Sequence, residues 1–317
     1  YTGNLEEVGT SRSFGYQLTF FRVALDTTDR KINSSKWKVD HIYFAHMTLT
    51  DIDGKKFHYF ERINRKGVGN AGADSERLMV WNEDWSLKSE DEKHLIEAVE
   101  VGTGIKLQLV PMKNLVFHGQ NGISKKGRDP GNASHYFSYT RMKTSGTIFI
   151  EGKTYKVLGT SWMDHEYSSN QLNNELAGWD WFSLKLDDQT ELMLYQLRLK
   201  AGGGDSFSSG TLVTADGVSR HLKRNEFIVR PLTEWKSKRS GIIYPSGWEL
   251  ELPSFRIKVK LSPDLLDQEL YGLRSISASY WEGSVSIEGN VGGDLVKGKG
   301  YVELVGYGKP LLQDLPD

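Results

Sequence analysis

The 317-residue chain contains no cysteine. That excludes disulfides, cysteine-ligated zinc and cysteine nucleophiles, and it suits oxidising and reducing compartments alike. Net charge is almost absent too. Forty basic residues face 41 acidic ones, giving −1 at pH 7, and no block of like charge offers a footprint for nucleic acid or an anionic membrane surface. No apolar run approaches the roughly 20 residues of a membrane span. The opening residues, Tyr1-Thr2-Gly3-Asn4-Leu5, include neither an initiator Met nor a leader. A mature or trimmed form is expected, with any signal segment upstream. Proline is scarce, at 8. What the chain has in quantity is nine Trp, 14 Tyr and 13 Phe among 33 Gly, a mixture that favours strands and turns.

Period-two alternation dominates. It runs through residues 15–22, 42–49, 57–63, 106–110, 147–150, 191–199 and 256–261, and each reads as a strand. Asp53-Gly54, Glu151-Gly152-Lys153 and Asp216-Gly217 supply turns between such segments, which makes antiparallel hairpins the natural outcome. Only residues 90–99 and 263–271 read as short helices, too few for the crossovers of a parallel α/β fold. The Gly-rich stretches 66–72 and 201–205 read as loops, and neither opens a helix as a phosphate-binding loop does.

Gly146-Thr147-Ile148-Phe149-Ile150-Glu151-Gly152 recurs 137 residues later as Gly283-Ser284-Val285-Ser286-Ile287-Glu288-Gly289. Each copy precedes a Gly-led strand, Gly159 to Asp164 and Gly298 to Glu303. Phe20-Phe21-Arg22 and Gln196-Leu197-Arg198 echo each other early in the two halves. The expectation is two related β domains, 1–170 and 171–317, joined through a polar stretch near Ser168 to Leu176. Each half is long enough to close an eight-to-ten-stranded barrel, which removes exposed strand edges.

The segment Trp162-Met163-Asp164-His165-Glu166-Tyr167 carries the densest chemistry. Alternation sends Trp162, Asp164 and Glu166 to one side and Met163, His165 and Tyr167 to the other. In a dry cavity, burial and like charge would raise one carboxyl and leave a neutral acid near pH 7; on a wet face these are ordinary solvated acids. A second group lies on the hairpin 41–49/57–62. If Asp53-Gly54 forms its turn, His46 faces Glu61 and Ala45 faces Arg62. The pair is more often structural than catalytic, but the hairpin sets His46 and Arg62 among Tyr43, Phe44 and Phe60. Trp179, Trp181, Tyr280 and Trp281 either pack barrel ends or wall an apolar ligand. No HExxH spacing joins His41, His46 and His58, and no Gly-x-Ser-x-Gly elbow is present, so neither a metal centre nor a serine hydrolase is expected.

Tyr43 to Asp51, Gly159 to Tyr167, Gly178-Trp179-Asp180-Trp181-Phe182, Tyr280-Trp281-Glu282-Gly283 and Gly300-Tyr301-Val302-Glu303-Leu304, together with the opening pentapeptide, resemble the AttH/CrtC-like group. This group includes carotenoid 1,2-hydratases and proteins labelled predicted secreted hydrolases. The resemblance extends to about Tyr307. It implies an all-β fold of two lipocalin-like (calycin) antiparallel barrels arising by duplication. It implies a lipid or isoprenoid ligand in the amino-terminal barrel or between the domains, with no cofactor. It also implies a reaction site at Trp162, Asp164 and His165, with Tyr301 and Glu303 among the ligand-facing residues. The calycin Gly-x-Trp appears only as Gly178-Trp179-Asp180-Trp181. The family label and the thiol-free chain favour a periplasmic or secreted location. Two functions follow as expectations. One is a carrier that buries a hydrophobic molecule and orients its polar end with His46, Arg62 or Asp164. The other is a hydratase in which Asp164 protonates an alkene, aromatics shelter the cation and His165 assists water. Cyclisation or isomerisation by proximity alone is a weaker third.

Overall fold

In the computed structural model the residues described are 1–25, 41–66, 69–129, 131–168 and 175–308. Residues 169–174 of the expected linker, Ser168 to Leu176, and residues 67–68 of the 66–72 loop lie outside them. Alternation becomes strand almost everywhere. The first sheet comprises β1 (Thr2–Glu7), β2 (Ser13–Ala24), β3 (His41–Asp51), β4 (Lys56–Arg65), β5 (Ala71–Ala73), β6 (Met79–Asn82), β7 (Trp85–Glu90), β8 (Lys93–Glu100), β9 (Thr103–Pro111), β10 (Val116–Phe117), β11 (Ile123–Lys125), β12 (Ala133–Ile150) and β13 (Lys153–Tyr167). The second comprises β14 (Leu176–Leu186), β15 (Glu191–Leu199), β16 (Ser209–Val213), β17 (Ser219–Lys223), β18 (Ile228–Lys236), β19 (Ile243–Leu252), β20 (Ile257–Pro263), β21 (Glu269–Leu273), β22 (Ala278–Val291) and β23 (Asp294–Val305).

The sheets repeat one topology. The first runs β4-β3-β2-β1-β13-β12-β9-β8-β7-β6-β5 and the second β17-β16-β15-β14-β23-β22-β20-β19-β18. In each, four consecutive strands are followed by the final hairpin and then by the middle strands in reverse. This is a duplicated, calycin-like all-β architecture. The repeated sequence falls on the equivalent hairpins β12/β13 and β22/β23, but its register shifts. Glu151-Gly152 forms the first turn, whereas Glu288-Gly289 lies inside β22 and the second turn is Gly292-Gly293, flanked by the pair Val291 and Asp294. The likeness at a spacing of 137 therefore matches strand to strand, with the second turn four residues further along.

The β3/β4 register is as expected, with His46 opposite Glu61 and Ala45 opposite Arg62. The loop holds four residues rather than two, closed by the Gly54 N–H donating to Asp51 Oδ1 at 3.0 Å and by Lys55 at φ +53°. It is symmetric about the same centre, so the pairing survives. The two expected helices are strands instead. Asp91, at φ +54°, turns the chain between β7 and β8, and His94, Ile96 and Ala98 then point inward with period two. Residues 263–271 end β20 and begin β21. Among the described residues only two single-turn 3₁₀ segments occur, Arg224–Glu226 and Pro253–Phe255.

The chain divides into two compact units that are not contiguous in sequence. The first holds Tyr1, Leu5–Pro111 and Lys143–Thr160; the second holds Thr2–Asn4, Met112–Met142 and the described residues from Ser161 onward. Within the first, Arg62 and Asn64 of β4 reach Asn82 of β6 at 3.1 and 2.7 Å, so side chains join strands near opposite ends of that sheet. Within the second, one face of the sheet encloses an apolar core of Phe182, Leu184, Leu194, Trp248, Leu250, Trp281, Val302 and Leu304. Fully burying one such side chain contributes about 1.5–3 kcal/mol.

Candidate active site on the second unit

β14 has two different faces. Phe182, Leu184 and Leu186 enter the core just described, while Trp179, Trp181 and Ser183 point the other way. They lie in register with Val305, Glu303 and Tyr301 of β23, and with Leu197, Tyr195 and Met193 of β15. On this second face Tyr136 and Trp162 pack with Met193, Tyr195 and Leu197 against Trp179 and Trp181. An aromatic wall results, and carboxyl groups are set into it.

Asp164 is the best-anchored of these. Its Oδ1 accepts from Trp162 Nε1 at 2.9 Å, from the Tyr136 hydroxyl at 2.8 Å and from the Ser138 hydroxyl. Burial raises the Asp164 pKa and the three donors oppose the rise. All three converge on one oxygen, so a proton on this carboxyl belongs on Oδ2. Burial and the neighbouring Asp164 charge push the Tyr136 phenol well above its ordinary pKa. It keeps its proton, and its oxygen accepts from Trp181 Nε1 at 3.0 Å.

Behind Ser138 stands a buried histidine. His118 Nε2 is 2.8 Å from Ser138 Oγ, and Nδ1 is 2.8 Å from Thr211 Oγ1. Ser138 has one proton and directs it to Asp164, so it accepts from Nε2–H; Nδ1 is then left to accept from Thr211. Burial, helped by Lys126, lowers the His118 pKa to about 3, and the ring is neutral. The result is a one-way chain, Thr211 to His118 to Ser138 to Asp164.

Further along β13, Glu166 accepts from the Ser134 hydroxyl at 2.5 Å and pairs with Lys126 Nζ at 3.1 Å. Lys126 lies 3.7 Å over the Tyr195 ring. The expected alternation holds. His165 and Tyr167 occupy the opposite face, where His165 meets Phe137 at 4.8 Å and Tyr167 meets His135 at 5.0 Å between ring centroids. Trp162 and Asp164 are thus brought together, and His165 is not brought to them.

A second pair of carboxyls shares the aromatic face. Glu282 of β22 stands directly across from Glu303 of β23, and Trp179 Nε1 donates to Glu303 Oε2 at 2.8 Å. Burial raises Glu303 to about 7, and burial reinforced by the Glu303 charge raises Glu282 well above the usual carboxylate range. Tyr280 lies on the same face as Glu282, and Tyr301 is fully buried beside Ser183. Trp281 faces the other way, into the apolar core, 6.1 Å from Trp248, with Nε1 bonded to Leu266 O at 2.8 Å. It does not join the site.

The expected residues of the β3/β4 hairpin belong to the first unit and split across its faces. Phe44 and His46 cluster with Phe21. Burial lowers the His46 pKa to about 4. Arg62 stacks 4.5 Å over Trp85 and pairs with Glu100 at 2.8 Å and with Asp84, on the face shared with Phe60 and Tyr43. Those contacts make Arg62 a structural brace between strands.

Sequence reasoning missed Tyr136, Ser138, His118 and Glu282. For the first two the partner strand was legible and the face was not: folding the chain about the Glu151-Gly152 turn sets 136–138 across from 165–167, one residue out of step with Asp164. Glu282 would have followed from the same step at the β22/β23 hairpin. Nothing local marks His118, which reaches the site from β10's end. Among the described residues no group of three or more His, Asp or Glu is placed to hold a metal ion.

A duplicated calycin-like protein with an acid-bearing aromatic face is the class these features define. The AttH-like family profile matches residues 1–307, and the chain belongs to that family. A solved structure from Nitrosomonas europaea described as an AttH is 32% identical and superposes with a TM-score of 0.85, covering 96% of this chain and 91% of that one. Kievitone hydratase from Nectria haematococca shares the fold at 17% identity and a TM-score of 0.75, over 97% and 88% of the two chains. Kievitone hydratase of Fusarium solani subsp. phaseoli is 30% identical over 156 residues, 46% of this chain, and the match spans 40% of that relative's length.

Proposed function

We propose that the protein binds a hydrophobic isoprenoid- or isoflavonoid-like molecule against the aromatic face of the second unit and adds water to one of its carbon–carbon double bonds, with Asp164 as the acid. The convergence of Trp162, Tyr136 and Ser138 on Oδ1 carries this reading. It fixes the carboxyl's orientation and leaves Oδ2 to hold and deliver a proton. That proton adds to the alkene to give a tertiary cation, the indole and phenol rings stabilise the positive charge, and water closes on the cation. The hydratase name of two relatives supports the reaction class. A carrier shares the binding step and lacks the proton transfer.

Replacing Asp164 with Asn separates them. With kievitone as the probe, binding followed by tryptophan fluorescence is expected to persist in D164N, while hydration falls by about 10²- to 10⁴-fold. Equal turnover by both proteins excludes Asp164 as the acid. Binding without turnover by either leaves a carrier.

A further inference from the structure

Adding water to an alkene needs a group to take the proton that water sheds, and His165 faces away from Asp164. We propose that Glu303, paired across the β22/β23 ladder with Glu282, is that base, acting on the same aromatic face as Asp164 and resting on the hydratase reading above. Three observations place it there. Glu303 lies in register with Trp181, whose indole binds the Tyr136 hydroxyl that in turn binds Asp164; the acid and the base therefore flank one aromatic pair. Trp179 Nε1 holds Oε2, which leaves Oε1 for water. Two residues along β14 from Trp181, on the same face, the Ser183 hydroxyl is fully buried with no hydrogen-bond partner. An orphaned hydroxyl beside an acid–base pair is what a site meant for water or a ligand hydroxyl leaves behind.

The step balances. The Asp164 Oδ2–H bond breaks as a C–H bond forms from the π electrons. Water's oxygen then forms the C–O bond, and one water O–H breaks as Glu303 takes the proton. Asp164 ends as carboxylate and Glu303 as acid. Both residues are partly exposed, so exchange with solvent resets them, and the net change is one water added. Glu282 keeps its own proton because two carboxyls this close cannot both ionise in a buried setting. Glu166 on β13 adds further negative charge near Glu303. A base poised near neutrality is the efficient one.

The test is the rate of kievitone hydration against pH. A base must be ionised, so kcat/KM of the wild type is expected to rise as pH increases through about 7. E303Q, checked for folding by circular dichroism, should lose about 10²-fold or more in kcat, lack that rising limb and retain probe binding. A flat wild-type profile from acid to alkaline pH overturns the assignment without any variant. So does an E303Q enzyme with wild-type kcat and an unchanged limb. If the wild type hydrates nothing, the hydratase reading fails and this one fails with it.

Discussion

Asp164 shows how a carboxyl can be largely withdrawn from water and still kept usable. Three neutral donors hold one oxygen, and the chain from Thr211 through His118 fixes the direction of the Ser138 hydroxyl. His118 also leaves a thermodynamic trace. Below about pH 6.5 the unfolded imidazole takes a proton that the folded one refuses until about pH 3. The stability from His118 is complete above the unfolded value and is lost as pH falls through that window. Urea unfolding between pH 4 and 6 should show stability rising with pH more steeply in wild type than in H118Q, by up to about 1.4 kcal/mol per pH unit. Equal slopes would mean that His118 is solvated and that the tautomer chain is not formed.

At the level of elements, the site depends on β14 holding one face to an apolar core and the other to the carboxyls. The strand begins with an irregularity between Leu176 and Gly178. Gly178 sits at φ +158°, and a Cβ there would run into the Val305 carbonyl oxygen. G178A should therefore push β14 off β23 and destabilise the protein by about 1–3 kcal/mol, seen as a lower Tm. An unchanged Tm would show that the strand start is slack. This is also where the sequence was most and least informative. Alternation and turn residues located most strands and the β3/β4 register, because side chains in a sheet must choose between two faces. The helices expected at 90–99 and 263–271 failed because a single left-handed residue, Asp91, and the end of β20 at Pro263 break what looked like a helical period. Trp162 and Asp164 were legible as neighbours on one face. Their donors were not, since Tyr136 and Ser138 become neighbours only when the β12/β13 hairpin folds back, and His118 only when the β10 segment packs.

For the whole molecule, duplication accounts for the shared strand order of the two sheets, and the repeat at 137 residues was its visible remnant. Asp164 comes from the final hairpin of the first sheet and Glu282 and Glu303 from the final hairpin of the second, all within the second unit, while in the first unit Arg62 braces strands with Trp85 and Glu100. Zero cysteine and balanced charge fit chemistry done by carboxyls alone. That account depends on Asp164 being a neutral acid at working pH. Infrared difference spectroscopy of wild type minus D164N at pH 7 measures this directly. The account predicts a neutral carboxylic-acid C=O band present in wild type and missing from D164N; a carboxylate band in its place would contradict it.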